Sequence, residues 1–128
     1  MSDDRGGITV LMVAMCAVVA GVGVATAALG VLFDAREQAA TAAEAAALAA
    51  AVATYPATGA GPPEVLAAEF AQRNGARLIS CWCPVEGGLG ARVAAVTVAL
   101  EADLPLFGKV MVGKTARAEF DPRAWLGR

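Results

Sequence analysis

The chain has 128 residues, a formal charge of −2, 58 % hydrophobic residues and only 5 % aromatics. With no clustered Lys or Arg, these numbers exclude a nucleic-acid-binding surface. With no histidine and only Ser2 and Ser80 as serines, they exclude histidine-based acid–base chemistry and every serine–histidine arrangement. The reading is therefore not an enzyme, and no cofactor is called for.

Residues 1–7, MSDDRGG, form a short polar leader ending in Gly6-Gly7. From Gly6 to Phe33 no residue is charged, and about 20 apolar residues at ~1.5 Å each suffice to cross a bilayer core. The spacing predicts a transmembrane helix from near Ile8. A cleavable secretory signal is its first rival, with Ala25-Thr26-Ala27 as the small-residue site. Against that, the leader sets Arg5 against two aspartates, and the apolar run exceeds the ~7–15 residues of a signal core. Within the span Ala17, Gly21 and Ala25 recur every four residues, a spacing that lets two membrane helices approach closely. Small residues are also common in any membrane helix.

From Asp34 the same helical register continues, without a proline, through DAREQAATAAEAAALAAAVATY to Tyr55, rich in the best helix former. Residues 8–55 are thus one helix of about 70 Å. Its alanine-rich upper half packs against neighbours or lies under the small domain. Residues 56–128 make that domain, near the lower size limit for a self-sufficient core. Pro62-Pro63 opens a helix that Arg73-Asn74-Gly75 ends, with Leu66 and Phe70 on one face. Strands are predicted over Ala76–Val85, Arg92–Glu101 and Lys109–Phe120 from their alternation, for example Val96, Val98 and Leu100 against Thr97, Ala99 and Glu101. Arg77, Ile79, Cys81 and Cys83 are expected to share a face of the first strand. The fold class is α+β: a long N-terminal helix, then a head of one helix and a three-stranded antiparallel sheet with one face covered.

Cys81 and Cys83 flank Trp82. They read as two small buried hydrophobes, as a disulfide within or between chains, or as part of a metal site. In an extended strand a bridge between them is strained. Gly108–Thr115 matches the phosphate-loop pattern GxxxxGK[ST], but that loop must join a strand to a helix whose amides cradle phosphate. Here the match alternates like a strand, so no nucleotide is expected.

Two passages resemble a known family. Arg5-Gly6-Gly7-Ile8-Thr9-Val10 before an apolar helix is similar to the start of TadE/TadG-like proteins, the minor pilins or pseudopilins of tight-adherence (Flp-type) pili. Arg36-Glu37-Gln38-Ala39 leading into Ala42-Ala43-Glu44-Ala45-Ala46-Ala47-Leu48-Ala49-Ala50 resembles their alanine-rich stretch. The architecture resembles a short subgroup from high-GC Gram-positive bacteria. The resemblance implies single-pass insertion in the cell membrane, a cytoplasmic N-terminus and an extracytoplasmic head. It also implies cleavage after Gly6 or Gly7 by a prepilin peptidase, and partners among other pilins, pilus-assembly proteins or further copies of the chain. Type IV pilins usually carry a glutamate five residues into the mature chain. Leu11 or Met12 stands there, so a minor, tip or priming subunit fits better than a major pilin. The alternative is a single-span accessory subunit that binds a larger secretion or envelope complex unprocessed.

Overall fold

The computed structural model describes the backbone of residues 4–127 and the side chains of residues 6–127; positions 1–3 of the leader lie outside the described residues. Helix α1 runs unbroken over Asp4–Ala53. It begins before Ile8, because the glycine pair falls in the first turns, where the first four N–H groups have no intrahelical partner in any case. It stops before Tyr55 because a residue preceding proline is driven to extended backbone; Tyr55 has φ −101° and ψ 107° ahead of Pro56. A single 3-10 turn, Pro56–Thr58, reverses the chain into α2, Pro63–Arg73.

Three antiparallel strands follow in the order β1-β2-β3: β1 Arg77–Trp82, β2 Arg92–Leu104 and β3 Gly108–Phe120. A five-residue helix, α3 Pro122–Leu126, ends the described chain, with the Asp121 carboxylate accepting from the Arg123 amide at 2.9 Å. The α+β architecture is the one the alternation predicts, and β2 and β3 bury the predicted faces. Val96, Val98 and Leu100 face inward, as does Ala118, with Val110 and Val112 half-buried beside them.

The first strand departs from the prediction. It is shorter, and its register with β2 slips between Leu78 and Ser80. One extra residue in a strand reverses the facing of everything beyond it. Leu78 and Cys81 therefore both turn toward the core, with Ile79 and Ser80 exposed between them. β2 also runs three residues past Glu101, because its alternation continues through buried Ala102 and Leu104.

The sheet is covered by the upper half of α1. Ala39, Ala42, Ala43, Ala46 and Ala50 lose all contact with solvent. They form one core with Ala67 and Ala71 of α2 and the inner valines of β2. Methyl-sized side chains let the helix lie close against the sheet. Of the two placements open to the alanine-rich segment, it lies under the head.

Candidate membrane and assembly surface

Below Ala28 the described side chains of α1 are bare, save Val24, which is half-buried. Val10, Leu11, Met12 and Val13 are 70, 64, 67 and 65 % exposed, and four successive residues at 100° each go most of the way round the helix. A helix apolar on all sides is stable in lipid or in the core of a larger body. By length and composition it can cross a membrane. Within it the Thr26 hydroxyl donates to the carbonyls of Val22 at 2.7 Å and Gly23 at 3.0 Å.

Ala17, Gly21 and Ala25 lie on this bare stem. A side chain added at Gly21 or Gly23 would meet nothing within 4 Å, so within this chain the stripe is open. Gly6 and Gly7 are equally open and helical. Cys16 is a free, exposed thiol in the same segment.

At the far end of the molecule the Cys81 and Cys83 sulfurs are bonded to one another, with Cα atoms 5.4 Å apart. Strand β1 ends at Trp82, so the chain bends there instead of holding the two residues at full extension. That brings the Cα separation within the ordinary range for a bridge, and the strain expected for a fully extended pair does not apply. Trp82, between them, points to solvent.

Arg92 was not singled out by sequence and is the most consequential polar side chain in the head. It is buried, yet among the described residues no carboxylate pairs with it. Its guanidinium donates to the carbonyls of Thr54 at 3.0 Å, Gly90 at 3.3 Å, Glu86 and Gly88, and lies over the Tyr55 ring. Thr54 and Tyr55 follow the end of α1, where the helix dipole is negative and α1 has no basic residue in its own last turn. Arg92 thus supplies the missing cation from another element and ties the 84–91 loop to the helix end. The available signal was a lone arginine closing a glycine-rich loop at the start of a strand.

The Gly108–Thr115 segment lies wholly within β3, in register with Thr97–Leu104 of β2. Its amides therefore belong to a ladder and do not open a phosphate cradle. Among the described residues no group of three or more His, Cys, Asp or Glu side chains comes together to hold a metal ion.

Residues 6–53 match the family model described as putative Flp pilus-assembly TadE/G-like. The match takes in the Gly6-Gly7 start, the bare stem and the alanine ridge under the sheet, so over that helix the chain is similar to TadE/G-like proteins. No curated protein and no solved structure matches the chain.

Proposed function

From a TadE-like helix whose lower half is bare and whose upper half is the core of a small head, we propose a structural role. The chain is a membrane-anchored minor pilin or pseudopilin of a Flp-type pilus or related secretion assembly, with its head outside the cytoplasm. One observation carries this reading. The family match ends at Ala53, where the helix itself ends, so the matched unit includes both the membrane segment and the scaffold on which the head is built.

In this reading the bare stem sits in lipid before assembly and against other stems afterwards, with Ala17, Gly21 and Ala25 as the close-approach stripe. Cleavage by a prepilin peptidase falls after Gly6 or Gly7. The bonded Cys81–Cys83 pair supports an oxidising compartment for the head.

A second reading is favoured by the residue at the fifth mature position. Leu11 or Met12 offers no carboxylate to a neighbour's new N-terminal amine, and an unpaired ion in an apolar core is costly. This favours an accessory subunit that stays in the membrane with its leader intact. Mass spectrometry of the full chain, purified from membranes of cells that make the prepilin peptidase, separates the two. Loss of residues 1–6 or 1–7 supports the pilin reading; an intact leader supports the accessory subunit.

A further inference from the structure

The β2–β3 hairpin reaches further down α1 than the rest of the head. At its upper end Arg92 of β2 bonds the Thr54 carbonyl. Lower down, Arg77 of β1 pairs with Ala99, close after Asn74, whose carbonyl accepts from Gln38 Nε2 at 3.3 Å. Between these levels β2 covers ~23 Å at ~3.3 Å per residue and α1 covers ~24 Å at ~1.5 Å per residue, so strand and helix run side by side in opposite directions.

Past Ala99 strand β1 has no partner residue left, yet β2 and β3 stay paired to Leu104 and Gly108. That overhang adds ~17 Å, which on the helix is about 11 residues below Gln38, near Ala27. Burial agrees. Leu100, Ala102 and Leu104 of the overhang are buried, Val31 packs against the same core, and Ala28 is covered, with Val24 half-buried one turn below it.

The tip, Pro105-Leu106-Phe107, therefore stands beside the stem where a span of about 20 residues beginning at Ile8 leaves the hydrocarbon. Its side chains are those of a membrane contact, not of a turn. Leu106 is 86 % and Phe107 70 % exposed. Leu106 takes φ +66°, a left-handed conformation that Gly, Asn or Asp adopts more readily. Charges behind the tip are balanced: Lys109 pairs with Glu101 at 2.7 Å and faces Asp103 across the ladder.

We propose that this tip is a second membrane contact, in which Leu106 and Phe107 enter the headgroup and upper acyl region of the leaflet on the head side and fix the tilt and rotation of the head. The occupant is the bilayer that holds the stem, recognised by apolar insertion and not by anionic headgroups, so zwitterionic lipid suffices and salt has no effect. This rests on the stem being membrane-embedded.

The full chain carrying Phe107→Trp, with Trp82→Phe and Trp125→Phe to leave one reporter, is reconstituted in phosphatidylcholine vesicles containing lipid brominated near the headgroup end of the acyl chain. A matched protein carries Val85→Trp, at the opposite end of the head, in place of the reporter at 107. Position 107 should be quenched by the brominated lipid severalfold more than position 85, and aqueous iodide should reverse that order. Equal quenching at both positions overturns the proposal. So does a reporter at 107 shielded from iodide but untouched by brominated lipid, which would indicate a second copy or another protein over the tip. Flotation of the same vesicles tests the underlying reading separately: a chain that fails to float refutes the span and the tip together, whereas one that floats without quenching at 107 refutes the tip alone.

Discussion

Arg92 shows how one residue can set the upper end of the molecule. A buried guanidinium without a carboxylate is tolerated because carbonyls of the 84–91 loop and of Thr54 surround it, and hydrogen bonds to a charged group contribute about 1.5–3 kcal/mol each before the cost of burial. Arg92→Met keeps the packing stem but leaves those carbonyls unpaired. We expect a loss of about 2–3 kcal/mol, read as a lower midpoint of chemical unfolding in detergent micelles, with the 84–91 loop newly open to proteolysis. Arg92→Lys should recover only part of this, since an ammonium cannot match the fixed fork of a guanidinium. A second residue-scale effect has a definite sign. The Lys109 ammonium is held above its ordinary range by its hydrogen bond to Glu101, then by the charge of Glu101, with Asp103 adding to it. A raised folded-state value means the pair's contribution is whole below the unfolded lysine value of about 10.4 and is lost as pH rises through the higher folded one. The pair is exposed to solvent and screened by salt. The thermal midpoint should therefore fall slightly more in wild type than in Lys109→Met above that pH, and the difference should shrink in high salt.

At the scale of elements, α1 carries two ridges of small residues with opposite fates. The upper ridge, centred on Ala46, is sealed under the sheet; the lower, Ala17, Gly21 and Ala25, faces outward along the bare stem. Ala46→Leu overfills the core and should cost about 1–3 kcal/mol of head stability, leaving crosslinking between stems unchanged. Ala17→Leu with Gly21→Leu should do the reverse, leaving head unfolding unaltered and weakening intermembrane-helix crosslinking by blocking close approach. Crosslinking unchanged by the lower double substitution would count against the stripe as an interface. The same elements show what the sequence made legible. The stem was readable because a long charge-free run has few physical outcomes, and β2 and β3 because alternation over a half-buried sheet is unambiguous. The facing of β1 was not, since a bulge at Ile79 is fixed by pairing with a strand that lies beyond a glycine-rich loop. The hairpin tip was missed for a related reason. Ala102 and Leu104 extend the β2 pattern, but Pro105 looks like a stop, and only the register with β3 reveals how far the ladder runs.

For the whole molecule, the decisive fact is that the head has no core of its own. The inner faces of β2 and β3 meet α1, while α2 packs on α1 and β1, so removing residues 34–53 would expose Val96, Val98, Leu100 and Ala102 together. A segment of roughly 70 residues is already marginal by surface-to-volume scaling, and losing the alanine ridge removes one wall of its hydrophobic cluster. We therefore expect a fragment of residues 34–128 to be a monomer with native-like circular dichroism and a cooperative thermal transition, whereas residues 56–128 should show no such transition and should bind a hydrophobic dye. A cooperatively unfolding 56–128 fragment would disprove the dependence. The functional consequence is mechanical. Because the bare stem is continuous with the helix inside the head, any translation or rotation of the stem, such as the passage from lipid into an assembly that the proposed role requires, is delivered to the head as a rigid-body movement, with no linker between them to absorb it. A flexible insert such as Gly-Ser-Gly-Ser between Phe33 and Asp34, combined with Leu106→Ser and Phe107→Ser to remove the second contact proposed at the tip, should accordingly leave membrane insertion intact and uncouple head orientation from the stem, visible as a broadened distribution of spin-label distances between the two. A distribution as narrow as wild type would show that the β2–β3 overhang, packed near Val31 below the insert, is enough to hold the head to the stem.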